Sequence, residues 1–147
     1  MKNIILTLLL FLTSCGYNPI FLNNQVNFAI NEIKLENKNQ ISYKIKNSLN
    51  KYVNLSKKPR AIDIEIASNR DIKITSKDQK GNAKTFDLII SVIIIITENN
   101  INTEKEFKRS FSYQTKSNKF ELKNYENTIQ DNLTNKIILD IDKFLMK

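Results

Sequence analysis

Few residues of this chain could do covalent or metal chemistry. Histidine and tryptophan are absent, one cysteine stands at Cys15, and the two glycines are Gly16 and Gly81. A Ser-His or Cys-His couple cannot be built, nor a zinc site that needs histidine or several thiolates. Two isolated glycines cannot supply a phosphate-cradling loop. Carboxylate pairs exist at Asp63/Glu65 and Asp140/Asp142. Alternation puts the first pair on the solvent face of a strand. The second pair lies two apart on a helix, so its members do not face each other. These absences argue against an enzyme, and neither a cofactor nor a metal is expected.

Cys15 has its own context. Met1-Lys2-Asn3 carries one positive charge, and Ile4 to Leu12 is an apolar run broken only by Thr7. The run is far short of the roughly 20 residues that span a bilayer as a helix. It suits the apolar core of a signal peptide, which needs about 7–15. It ends in Leu12-Thr13-Ser14-Cys15, which resembles a bacterial lipobox. The resemblance implies a diacylglyceryl group on the Cys15 sulfur, cleavage after Ser14 and an acylated N-terminus. The bland alternative is a buried terminal element with an incidental thiol. Each buried acyl CH₂ contributes about 0.8 kcal/mol, so two or three chains anchor a protein durably. With Gly16 rather than Asp after the cysteine, lipoprotein sorting implies the outer membrane. The expected organisation is a signal peptide over 1–14, a lipidated tether over 15–24 and one domain over 25–147.

The charge is strongly positive, with 23 Lys+Arg against 15 Asp+Glu and a formal net charge of +8. Such a balance ordinarily suggests nucleic acid, but export removes that partner. Isoleucine (23), asparagine (21) and lysine (20) dominate the composition. That bias suits an A/T-rich coding sequence, so the lysine excess reads as readily as coding drift as a binding surface. The excess is concentrated in residues 34–60, where Lys34, Lys38, Lys44, Lys46, Lys51, Lys57, Lys58 and Arg60 face one acid, Glu36. In an envelope compartment, phospholipid headgroups and lipopolysaccharide phosphates would attract such a field. An ordinary solvated helix face is the competing reading.

The elements that must position these groups follow from periodicity. Val26, Phe28 and Ile30 alternate as a strand, and Ile33 and Leu35 continue it with parity reversed, which predicts a bulge near Asn31-Glu32. Ile41, Ile45, Leu49, Tyr52 and Val53 mark one face of a helix of about 14 residues from Gln40. Pro59 prevents its continuation. Ile62, Ile64, Ile66, Ile72 and Ile74 share even parity over a long strand, and Gly81 offers a positive-φ position in the polar stretch that follows. Phe86 to Thr97 is a third strand, rich in β-branched residues. Asn99-Asn100 is turn chemistry, Phe107 to Tyr113 alternates as a fourth strand, and Tyr125 to Leu145 is a second helix. The order β-α-β-β-β-α predicts an α+β two-layer sandwich: a mixed four-stranded sheet with two helices on one face.

The third strand breaks the one-sided pattern. Its even residues suffice to meet the helices, yet its odd face carries Ile89, Ile93 and Ile95. Two helices cover one face, so this row is expected on an uncovered face, where an apolar stripe usually marks an interface. The tether folding across it, or the sheet curling over it, would be the alternative.

Together these residues resemble a known family. The lipobox is followed by Cys15-Gly16-Tyr17-Asn18-Pro19-Ile20-Phe21, then by the β-α-β-β-β-α order, a polar hairpin Gln79-Lys80-Gly81-Asn82, Arg109-Ser110-Phe111 in the last strand, and Lys123-Asn124-Tyr125 opening the final helix. This is similar to LptE, the lipopolysaccharide-assembly lipoprotein also called rare lipoprotein B. The resemblance implies an outer-membrane lipoprotein facing the periplasm and the lumen of the barrel LptD, which it plugs and helps to assemble. It also implies a part in delivering lipopolysaccharide to the outer leaflet. Basic residues of the hairpin between the second and third strands and of the start of the last helix are those implicated, by the resemblance, in lipopolysaccharide contact. The matching positions are Lys80 and Lys123, with Lys77 and Lys84 as neighbours of the hairpin match, and Ile89, Ile93 and Ile95 would meet the barrel. A competing reading is a generic lipid-anchored periplasmic domain that binds anionic lipid, or another envelope protein, through residues 34–60.

Overall fold

The computed structural model describes residues 26–56 and 58–147. The expected signal peptide, the tether and Cys15 lie outside the described residues. Strand β1 spans Phe28–Leu35, helix α1 Gln40–Leu49, β2 Arg60–Lys77, β3 Ala83–Glu98, β4 Ile101–Gln114 and helix α2 Lys119–Leu145. The sheet order is β1-β2-β3-β4, with β1 parallel to β2 and the other pairs antiparallel. The α+β fold and element order read from the sequence are those observed.

Alternation in burial sorts the two faces. Ile62, Ile64 and Ile66 of β2 and Leu88, Ile90, Val92 and Ile94 of β3 are essentially inaccessible, as are Ile45 and Leu49 of α1 and Ile137 and Ile141 of α2. The register places these strand residues side by side, with Ile64 opposite Ile96 and Ile66 opposite Ile94. At about 1.5–3 kcal/mol per fully buried aliphatic side chain, this layer dominates the stability of the fold. The register of β1 shifts between Ile30 and Glu32, so Ile30 and Ile33 both turn inward. The predicted bulge is therefore present, and it rescues a strand whose strict alternation would have exposed half of its apolar residues.

Several boundaries differ from the periodicity. Helix α1 ends at Leu49, and a 3₁₀ turn over Asn50–Tyr52 replaces its expected last turn. Val53 then bridges Ile30 in parallel, and the Asn54 N–H donates to the Ile30 carbonyl at 3.1 Å with a positive φ of 56°. Helix α2 starts at Lys119, ahead of the expected opening at Lys123, because the Asn118 side chain accepts from the N–H groups of Phe120 and Glu121. Strand β4 starts at Ile101: Asn99 and Asn100, with φ of 50° and 65°, form a two-residue turn that joins it directly to β3.

A buried polar knot fixes the β1–α1 connection. Asn39 caps α1 by accepting from Ser42 N–H at 2.9 Å, and it also accepts from the Ser68 hydroxyl at 2.9 Å. The Ser42 and Ser68 hydroxyls meet at 2.7 Å, and Asn37 bonds to the Ser68 backbone at both N–H and carbonyl. Ser68 stands where the even row of β2 would otherwise hold another isoleucine.

Candidate functional site

The strand directions bring the predicted lysines to one end of the molecule. Strand β2 runs into the hairpin, β3 runs out of it, β4 returns toward it, and α2 begins a few residues later. Thr115 N–H donates to the Lys84 carbonyl at 2.9 Å, joining the end of β4 to the start of β3 just ahead of α2. Lys77 closes β2, Lys80 lies in the turn, Lys84 opens β3, and Lys123 lies near the start of α2; all four are exposed. Lys116 and Lys119 stand at the same end, Lys116 with its ammonium 4.7 Å from the centre of the Tyr125 ring. Two large apolar side chains break the polar surface there, Ile74 at 53% exposure and Phe120 at 73%. The end is thus both cationic and partly apolar.

The hairpin is built to hold its lysines outward. Residues 73–82 are all exposed. At about 3.3 Å per residue, β2 is about 60 Å long, whereas the 27 residues of α2 cover about 40 Å at 1.5 Å each. The tip therefore stands clear of the helical layer. Gly81, at φ of 83°, makes the turn, as the sequence suggested. Asp78 accepts from the backbone N–H of Lys80 at 2.9 Å and of Asn82 at 2.8 Å, and from the Asn82 side chain at 3.1 Å. These bonds, that of the Asn82 side chain foremost, hold the Asp78 carboxyl below the usual carboxylate range.

The base of the cationic end is fastened by three groups the sequence reading passed over. The Arg70 guanidinium donates to Glu126 at 3.0 Å, and the Tyr113 hydroxyl donates to the other Glu126 oxygen at 2.7 Å. Burial, then the bond to Glu126, push the Tyr113 phenol well above its ordinary value. The available signal was Arg70 itself, a charge placed in the even, inward row of β2.

Part of the basic run over residues 34–60 is engaged in ion pairs. Lys44 pairs with Asp131 at 3.0 Å, Lys51 with Asp142 at 2.7 Å, and Lys34 with Glu32 at 3.5 Å. Arg60 grips Glu98 with two bonds of 2.9 and 2.8 Å, which holds the Glu98 carboxyl below its ordinary value. At Lys51, burial is the largest single effect and opposes the charge, but the interactions with Asp142 and Tyr52 together outweigh it and the ammonium pKa is raised. Lys44, Lys51 and Arg60 therefore tie the helices and strand ends together, while Lys34 pairs along its own strand. Lys57 lies outside the described residues.

The carboxylate pairs are also accounted for. Asp142 receives Lys51, while Asp140 accepts from Arg109 at 2.6 and 3.0 Å, so the two point to different partners. Asp63 is exposed on the uncovered face of β2, with Glu65 half-buried beside it.

Ile89, Ile93 and Ile95 lie on the face opposite the helices, and each is half-buried rather than fully exposed. The flanking strands shade them. Ile95 is paired with Glu65 and Glu104, Ile93 with Ala67 and Glu106, and Ile89 with Asp71 and Ser110.

No family model and no curated protein matches the chain. Solved structures do. Lipoprotein B from Nitrosomonas europaea superposes with a TM-score of 0.58 at 15% identity, over 82% of this chain and 85% of that one. Rare lipoprotein B from Shewanella oneidensis gives 0.55 at 10% identity, over 78% and 96%. A minor lipoprotein from Acinetobacter baumannii gives 0.53 at 19% identity, over 79% and 92%. The fold is therefore that of rare lipoprotein B, along nearly the whole of those chains.

Proposed function

We propose that the chain is an envelope lipoprotein of the LptE type, anchored in the outer membrane through Cys15. In this reading it plugs an LptD-like barrel, assists its assembly and takes part in delivering lipopolysaccharide to the outer leaflet. Its role is binding and positioning, without catalysis. The observation that supports the reading is that a rare lipoprotein B fold carries exposed lysines on the β2–β3 hairpin, Lys77, Lys80 and Lys84, and another, Lys123, near the start of α2 at the same end. Lysine ammonium groups act as point charges on phosphate, and Ile74 and Phe120 offer apolar contact beside them. The uncovered row Ile89, Ile93 and Ile95 supplies a surface for the barrel wall. The competing use of residues 34–60 as an anionic-lipid site is weakened by the ion pairs that engage Lys34, Lys44, Lys51 and Arg60.

The test has two arms. Affinity purification through the C-terminus from membranes is expected to retain a large outer-membrane barrel. Lipopolysaccharide binding by the purified chain is expected to fall at least about tenfold when Lys77, Lys80, Lys84 and Lys123 become alanine, and to change little when Lys38 and Lys46 do. Recovery of a stable monomer without a barrel, with unaltered lipopolysaccharide binding by the fourfold variant, would sink the proposal.

A further inference from the structure

The open face of the sheet carries a charge opposite to that of the chain as a whole. We propose that this face seats a protein wall whose apolar ridge runs between two rows of lysine or arginine. The register supplies the argument. The isoleucines of β3 form the centre, with Glu65 and Asp71 on one side and Glu104 and Glu106 on the other. The lysines that share this face are Lys34, Lys73, Lys108 and, far from Ile93 at the hairpin, Lys77; the first is drawn to Glu32 at 3.5 Å and the second to Asp71 at 4.0 Å. Negative charge is left in excess around Ile93 and Ile95. Strands lie about 4.8 Å apart, so the two acidic rows are about 10 Å apart, the spacing of alternate strands in a facing sheet. Beside Ile93, the small side chains Ala67 and Ser91 leave a shallow depression edged by Glu36, Asn37 and Asn69, a socket for one apolar side chain.

The charge decides among the possible occupants. A second copy would bring the same acids against these, and juxtaposed like charges are unfavourable. An anionic lipid surface would be repelled in the same way. Residues 16–25 of the chain itself carry no charge and would leave the acids unanswered. A protein surface with a basic frame satisfies both the apolar centre and its rim. The inference rests on the plug reading for the identity of that surface, the barrel wall, but not for its chemistry.

The test uses the full chain in its membrane with a photo-crosslinking residue in place of Ile93, and in place of Leu139, exposed on α2, as control. Crosslinks from position 93 are expected to land on barrel segments within a few residues of lysine or arginine. The pair Glu104→Lys and Glu106→Lys is expected to cut the barrel retained by about tenfold or more, and Glu104→Gln with Glu106→Gln by less, with circular dichroism unchanged in both. Undiminished retention by the lysine pair, no crosslink from position 93, or crosslinks to a second copy, to lipid or to an acidic segment would each overturn the inference while leaving the barrel partnership standing. Failure to recover any barrel removes the plug reading. Position 93 then still decides the chemistry: capture on a basic segment of another protein supports it, and capture elsewhere defeats it.

Discussion

Asp78 shows how one side chain presents its neighbours. Its carboxylate gathers two backbone N–H groups and the Asn82 amide, which closes the turn bearing Lys80. Because its folded-state pKa is depressed, the stabilisation is fully present above the ordinary carboxylate pKa of about 3.9. It is lost as pH falls through the lower folded value. The protection factors of the Lys80 and Asn82 amides, followed by NMR and corrected for the intrinsic slowing of exchange with acid, are therefore expected to drop on acidification below about pH 4, while that of the Ile90 amide holds. Asp78→Asn should abolish that pH dependence, and a turn equally ordered across the range in both proteins would contradict the account. Gly81 was legible from the sequence because the position needs a positive φ. Asp78 was not, since an acid in a polar stretch looks the same whether it is solvated or caps a turn.

At the scale of elements, β3 is one strand with two different environments. Ile94 is fully buried under the helices, and Ile93 is half-buried on the open face. Ile94→Ala is expected to cost about 2–5 kcal/mol. Ile93→Ser should cost markedly less, about 1 kcal/mol or so on the scale of strand preferences. Urea unfolding of the two variants checks this, and equal shifts in midpoint would mean that something covers the open face. The isoleucine parity of β2 and β3 made the sheet readable, and the parity reversal at Asn31-Glu32 revealed the bulge. The first half of β4 was hidden because Asn102 to Glu106 is polar at every position, as an edge strand with little burial permits. The end of α1 was hidden because Tyr52 and Val53 keep helical spacing while leaving the helix. The ion pairs of Lys44 and Lys51 were hidden as well: their partners, Asp131 and Asp142, are distant in sequence and become neighbours only when α1 packs beside α2.

For the whole molecule, topology separates what forms locally from what waits. The pairs β2–β3 and β3–β4 are joined by short turns, whereas β1 reaches β2 only through α1. Closing that longer connection costs more entropy before any contact rewards it. Measured φ-values are thus expected to be higher for Ile90→Val and Val92→Ala than for Ile30→Val, and the reverse order would show that the parallel pair nucleates folding.

The same topology gives the molecule a direction. Phe28, at the start of β1, is paired with Arg60, at the end of the sheet remote from the hairpin. Whatever restrains the chain ahead of residue 26 pulls on that pole alone. Ten tether residues fully extended reach at most about 35 Å, less than the roughly 60 Å of β2. A chain held at its N-terminus is therefore held like a mast stepped at its foot, with its lysine-bearing tip at the pole that such a tether cannot reach.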